Sequence, residues 1–275
     1  MNIKELLPPI LIRLGKRTIG LENGKEYESY SQAMKFCISN AYQNTELCNM
    51  IADKTVIHAE NLRKKPYVLN DANATLLSVI NQYLLVHPLK KLNVLDFGGA
   101  CGAHYFEMKR FIPGDFALKW YVVETEQIVK SSIERGLNND ELNFVSNVED
   151  IKTEIDIIYS SCALHYVPDP YEFLNKLINV NATWIFFNRM YFNENDRDYV
   201  TVQKSLLSSN GPGKMPKGYT DRIISYPNTT ISFHKFNSRV TEKNYRLEWV
   251  FDEFPDRLPT KNDLIVKKGV VYMKK

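Results

Sequence analysis

The sequence predicts an α/β protein: a mostly parallel sheet of seven strands, the last antiparallel, with helices on both faces and a helical extension ahead of it. Three observations predict it. From Leu92 to Arg189 short apolar runs alternate with helical stretches, the pattern of parallel strands joined by crossover helices. The first run ends in an acid and a glycine turn, Asp96-Phe-Gly-Gly-Ala-Cys-Gly102. The chain then closes on two strands with too short a connection for a helical crossover, which makes them a hairpin.

Each element has its own signal. Residues 1–90 read as an N-terminal extension and 91–275 as the main domain. Ser29 or Ser31 caps a helix expected to run to about Ala52, with Ala33, Met34, Cys37, Ile38, Ala41 and Tyr42 as its apolar stripe. A second helix over 71–87 carries Leu76, Leu77, Ile80, Tyr83 and Leu84. Then follow strand 92–97, helix 102–111, strand 117–123, helix 125–135 ending at Gly136, and the short strand 143–146. Strand 155–160 precedes a helix over 170–179, whose start is marked by Asp169 as cap, Pro170 in the first turn and Glu172 three residues after the cap. Strand 182–188 is the fifth. Residues 190–230 are polar and rich in Asn, Gly and Pro, so they read as a lid or acceptor-binding insertion, or as a disordered loop. A helix near 231–243 and strands 246–251 and 264–273 complete the chain.

Composition excludes several classes. A net charge of +3 on 275 residues, without a basic block, gives no case for nucleic acid. Cys37, Cys48, Cys101 and Cys162 have neither metal spacing nor a disulfide framework, and read as reduced, partly buried thiols of a cytoplasmic protein. The five histidines are dispersed, so no metal is expected. Nothing at the N-terminus reads as a signal peptide or a membrane span. Leu6-Leu-Pro-Pro-Ile-Leu-Ile12 is a short apolar run that could dock on its own domain, on a partner subunit or on a membrane surface, the first being favoured.

The glycine turn narrows the ligand. Gly98, Gly99 and Gly102 let backbone approach a bound group closely, Ala100 allows the same, and a helix opening after them directs free N–H groups at it. Asp96 repels phosphate and suits an ammonium. A ligand carrying both an ammonium and a carboxylate fits, as in the methionine end of S-adenosylmethionine (SAM). Residues 92–105 resemble the cofactor motif of class I SAM-dependent methyltransferases. More narrowly, several segments resemble a methyltransferase family encoded among bacterial surface-polysaccharide genes (capsule, O-antigen). They are Val94–Tyr105, Trp120–Glu124, Ser160–Tyr166 with Asp169-Pro170-Tyr171, Phe187–Arg189, Gln203 and Tyr226-Pro227. Together they span about half the chain, residues 92–227.

The resemblance implies a Rossmann-like methyltransferase sheet and SAM as cofactor. Gly98, Gly99, Ala100 and Gly102 would underlie the methionine portion, with Asp96 at its amino end. Glu124 would take the two ribose hydroxyls, since a carboxylate accepts two hydrogen bonds. Asn147 and Val148 would flank the adenine, and Ser160 and Ser161 would lie beside the methyl group.

Methyl transfer needs no acid, because the leaving thioether is neutral, and a base only for a proton of high pKa. His165, just past the fourth strand, is the candidate base; bonding to a loop carbonyl is its plainer alternative. Tyr166 could present its hydroxyl to the acceptor, and the Arg189 fork could clamp an acceptor phosphate or carboxylate, against the alternative of a surface ion pair. His104 and Tyr105, on the first turn after the glycines, and Tyr191, Gln203 and Tyr226, selected by the resemblance, complete the substrate set.

The expected activity is O-methylation of a carbohydrate or phosphorus-linked substituent of a surface-polysaccharide precursor. The alternatives are a non-catalytic SAM-binding scaffold or sensor, and a nicotinamide-dependent oxidoreductase, whose Gly-x-Gly-x-x-Gly fingerprint differs from the Gly-Gly-x-x-Gly found here.

Overall fold

The computed structural model describes residues 25–37, 43–87, 90–252 and 265–275. The apolar run Leu6–Ile12 and the stripe positions Ile38, Ala41 and Tyr42 lie outside the described residues. In chain order the elements are β1 (Glu26–Tyr27), α1 (Tyr30–Met34), α2 (Thr45–Lys64), α3 (Asp71–Val86), β2 (Lys91–Phe97), α4 (Ala103–Met108), β3 (Ala117–Val123), α5 (Glu126–Glu134), β4 (Leu142–Val145), β5 (Ile157–Ser161), α6 (Pro170–Asn179), β6 (Trp184–Asn193), β7 (Tyr199–Leu206), β8 (Ile223–Ser232), α7 (Phe233–Thr241), β9 (Tyr245–Asp252) and β10 (Ile265–Lys274).

The seven expected strands lie in the order β4-β3-β2-β5-β6-β10-β9. The pairs from β4 to β6 are parallel, and β10 runs antiparallel to both β6 and β9. The chain leaves β2 outward through β3 and β4, then returns to β5 on the other edge of β2. That reversal opens a crevice above the carboxyl ends of β2 and β5, where ligands of such sheets bind.

Side-chain alternation along the strands builds two cores. Val94, Trp120, Tyr159 and Phe186 pack on one face with residues of α2 and α3. Leu95, Phe97, Ile158, Ile185 and Phe187 pack on the other with residues of α6 and α7. Helix starts follow local chemistry: Asp169 accepts the N–H groups of Tyr171 and Glu172 at 2.9 and 3.0 Å, and Thr125 accepts that of Ile128 at 3.4 Å.

Three expectations are corrected. The first helix does not run from Ser29 to Ala52: Ser29 caps only α1, and a new cap, Asn44, starts α2, which runs on to Lys64. Polar positions such as Asp53, Lys54 and Glu60 hide the continuation, yet Lys54 is buried by bonding to carbonyls elsewhere. Residues 190–230 are not one loop, because β6 continues to Asn193 and β7 and β8 form an antiparallel ribbon. Its Thr201, Asn228, Thr229 and Thr230 are polar but buried, and Pro227 lies inside β8, so the ribbon has the composition of a loop. Finally, among the described residues the sheet has ten strands, β1 and the ribbon being added beyond β6.

The ribbon joins in a particular way. β6 pairs with β5 up to Asn188, and its same edge pairs with β8 at Phe192 and Asn193. Arg189 stands where the partner changes, at φ 54°, and the β10 register shifts opposite it.

Candidate active site

A cavity of about 1210 Å³ lies above the carboxyl ends of β2, β3, β5 and β6. One side of it is formed by the glycine turn. Gly98 has φ +69°, and a Cβ there would lie 2.1 Å from that of Ala163. A Cβ on Gly99 would lie 2.4 Å from the Asp96 carboxyl carbon, so that acid is packed directly against the turn. Asp96 is fully buried. Its Oδ2 accepts hydrogen bonds from His104 Nδ1 at 3.0 Å and Trp120 Nε1 at 3.2 Å, while Oδ1 has no partner. Burial pushes the His104 pKa down, but the charge and hydrogen bond of Asp96 raise it overall.

Glu124, at the end of β3, faces the same space. Its Oε1 accepts the Ala100 N–H at 3.1 Å and its Oε2 the Thr125 N–H at 2.9 Å. Burial raises its pKa to about 7; those two N–H groups oppose the rise and the Asp96 charge adds to it. Each oxygen keeps a second lone pair for a ligand hydroxyl. A smaller opening shares Glu124, Thr125, Ser146 and Gln43 and adds Asn147.

The opposite wall is a hydrogen-bonded chain of tyrosines and amides. Tyr30 donates to the Tyr166 carbonyl at 2.9 Å, and Tyr166 to Gln203 Oε1 at 3.1 Å. Asn228 donates to that same oxygen at 3.2 Å, and Tyr226 to Ser205 Oγ at 3.1 Å. The rings of Tyr166 and Tyr226 meet edge to face, with centroids 5.0 Å apart. Arg189 Nε donates to Ser161 Oγ at 2.8 Å. At the outer end, Glu107 accepts from Asn73 at 2.7 Å and pairs with His58 at 2.8 Å.

No protein-family model matches the sequence, and comparison with curated proteins gives no match. Solved structures do match. A SAM-bound amino pentose methyltransferase from Micromonospora echinaspora superposes with a TM-score of 0.50 at 10% identity, over 80% of this chain and 96% of that one. A SAM-dependent methyltransferase from Clostridium acetobutylicum gives a TM-score of 0.48 at 9% identity, covering 81% and 98%. The first likeness and the strand order together decide the architecture. The chain has the class I methyltransferase fold.

Within the class I fold, most of the expected residues converge. Gly98, Gly99, Ala100, His104, Glu124, Ser161, Tyr166, Arg189, Gln203 and Tyr226 line the cavity. Others do not. Asp96 lies beneath the turn, so it reaches the cavity only through His104. Gly102, at φ +81°, faces Leu142 and Phe144. The Tyr105 hydroxyl turns away to Glu141 at 2.8 Å and its ring packs near Trp120. Val148 packs on the core, leaving Ser146 and Asn147 at the end of β4. Ser160 is buried with its hydroxyl unpartnered, and Tyr191 packs beside His165.

His165 is fully buried. The residue between it and the cavity is Cys162, which sequence reasoning took as an ordinary thiol. Cys162 lines the cavity at φ 57°, with its Sγ 3.5 Å from His165 Nε2 and 3.6 Å from the Tyr166 hydroxyl. The spacing Cys162-Ala-Leu-His165 carried the signal, since a tight turn brings residues three apart together. Tyr30, Asn73 and Glu107 were also missed, as they arrive from the extension and from α4. Among the described residues no group of three or more His, Cys, Asp or Glu side chains could hold a metal.

Proposed function

We propose that the protein is a SAM-dependent methyltransferase acting on an oxygen of a carbohydrate or carbohydrate-like acceptor. The observation that carries this is Glu124. A carboxylate at the end of the second core strand, held by two backbone N–H groups and facing a cavity beside a glycine turn, suits the paired hydroxyls of a ribose. The cavity volume is sufficient for a nucleoside-bearing donor together with an acceptor. The antiparallel closing pair β9–β10 favours this reading over a nicotinamide oxidoreductase, whose sheet would continue with parallel strands.

When bound, SAM supplies an electrophilic methyl carbon on a leaving group that departs neutral. The chain's own residues then have to orient the acceptor, keep water away and handle one proton. Gly98 to Ala100, with His104, would seat the methionine end, and Ser146 and Asn147 the base. Tyr166, Gln203 and Tyr226 offer the mixed donors, acceptors and ring faces that a sugar requires. Arg189 supplies positive charge for an acceptor that carries phosphate or carboxylate. Most of the rate would come from holding the acceptor oxygen within about 3–3.5 Å of the methyl carbon. The amino pentose methyltransferase of like fold fits this acceptor class. The resemblance to enzymes encoded with surface-polysaccharide genes narrows it to a capsular or O-antigen precursor, methylated in the cytoplasm.

Calorimetry with SAM and its demethylated product tests the donor, and methyl uptake by a panel of nucleotide-sugars and polysaccharide precursors tests the acceptor. Absence of binding by both nucleoside ligands overturns the reading. Tight binding without turnover on any glycan acceptor overturns the acceptor half and favours a SAM-binding scaffold.

A further inference from the structure

We propose that Cys162 and His165 form a thiol–imidazole dyad in the cavity wall, and that the thiolate is a nucleophile for an electrophilic carbon of a small molecule held there. The site goes beyond the donor and acceptor contacts already described, and nothing in the methyl-transfer reading requires it.

The geometry is that of a dyad. Cys162 follows β5, half-buried, and lines the cavity. Behind it His165 Nε2 lies 3.5 Å away, within reach of the thiol proton. The histidine is fully buried, and among the described residues its ring hydrogen-bonds to the sulfur alone. The Tyr166 hydroxyl lies 3.6 Å from the sulfur, which competes with Gln203 Oε1 for its one proton. The titratable and charged groups that act on the sulfur are thus His165 and Tyr166 from its own turn and Arg189 from β6. Tyr191 of β6 packs against the imidazole at a tilt, with ring centroids 5.6 Å apart.

The chain supplies its own comparison. Burial pushes the Cys48 and Cys101 thiols up to about 12, and raises Cys37 as well. Burial acts on Cys162 in the same direction, but the His165 and Arg189 charges and the His165 and Tyr166 hydrogen bonds outweigh it and bring that thiol well below its ordinary value. Of the four cysteines, one is both open to the cavity and poised as the anion.

The reaction balances without a redox partner. His165 Nε2, within reach of the thiol, accepts its proton as the sulfur attacks. The sulfur lone pair forms an S–C bond as the bond from that carbon to its leaving group breaks, and the leaving group departs with the electron pair. A carbon bearing a sulfonium or a halide meets the requirement; with iodoacetamide the leaving group is iodide.

The test uses the full chain and iodoacetamide alone. Peptide mass spectrometry follows carbamidomethylation of each cysteine from pH 5.5 to 8.5, with N-acetylcysteine as the free-thiol reference. At pH 6, Cys162 should react at least about tenfold faster than the reference, the larger thiolate fraction outweighing the lower intrinsic nucleophilicity. Its pH midpoint should fall below that of the reference, while Cys48 and Cys101 stay unmodified. His165→Gln should return the midpoint to the reference range. Should that variant misfold, the thiolate absorbance near 240 nm in wild type minus Cys162→Ser gives the same midpoint without touching the histidine. A Cys162 that is inert, or that titrates with the reference, overturns the proposal. The measurement needs no SAM, so failure of donor binding and failure of the dyad are read separately.

Discussion

Glu124 is a carboxyl whose proton the fold retains into the neutral range. Its pKa is raised from 4.5 to about 7, chiefly by burial. Between those values the unfolded chain gives up a proton that the folded chain holds, so this group's contribution to stability declines as pH rises from 4.5 to 7. Hydroxyl donors favour the ionised form, so a ribose bound there should expel the proton. SAM affinity should therefore tighten about tenfold from pH 6 to 8, and calorimetry in buffers of different ionisation enthalpy should register proton release. Glu124→Gln should weaken binding about 10–100-fold, at the scale of a charge-assisted hydrogen bond, and flatten the pH profile. A profile that stays steep in the variant would assign the titration to another group. Asp96 makes a different case. It is buried with His104 as its charge partner, so Asp96→Ala should cost about 3–5 kcal/mol, read as the shift in urea midpoint. Because the His104 pKa is raised, the pair's contribution is full below the unfolded histidine value of 6.5 and is lost as pH rises through the folded value. A variant equally stable at pH 6 would show that the pair holds nothing together.

At the scale of elements, a buried lysine of α2 reaches across to hold the segment after β7. Lys54 of α2 is buried and its Nζ donates to the carbonyls of Ser208 at 3.0 Å and Asn210 at 2.5 Å. Those carbonyls belong to the stretch whose Ser209, Asn210, Gly211 and Pro212 line the cavity. Burial lowers the Lys54 pKa, with the Asp221 charge opposing. Lys54→Met keeps the packing of the stem and removes the anchor. Amide exchange over 207–213 should quicken while that of β2 and β5 stays unchanged; no change in 207–213 would mean that the loop holds itself. The sequence could not announce this anchor, because a lysine in an amphipathic helix reads as solvated and its partners are backbone carbonyls some 150 positions away. The strands of the core were legible for the opposite reason: β2 and β5 are buried on both faces and centre on the apolar pairs Val94-Leu95 and Ile157-Ile158, each strand followed by its own turn residues. The β7–β8 ribbon was illegible because many of its buried positions are polar, among them Thr201, Ser225, Asn228, Thr229 and Thr230.

For the whole molecule, the same asymmetry separates donor from acceptor. The donor side was readable because a glycine turn and a strand-end acid are local in sequence. The cavity wall proposed to meet the acceptor draws on Tyr30, Gln203 and Tyr226, which no spacing rule connects, and only the family resemblance selected the last two. Saturation of the donor side should stabilise the entire fold by mass action. At one hundred times Kd the gain is about 2.7 kcal/mol, or a rise in Tm of about 5–10 °C for a chain of this size. The demethylated product should give a similar rise, and an unmoved Tm with both ligands counts against a preformed donor site.

The exchange of neighbours along β6 at Arg189 has an evolutionary and practical corollary. Gly98, Ala100 and Glu124 belong to β2, β3 and their turn, whereas Gln203, Ser205 and Tyr226 belong to a ribbon stitched to the sheet by one short parallel pairing. On the function proposed above, residues on that ribbon can be exchanged to change the acceptor with the donor contacts left intact. Chimeras that replace 199–232 should thus inherit new selectivity on an old engine.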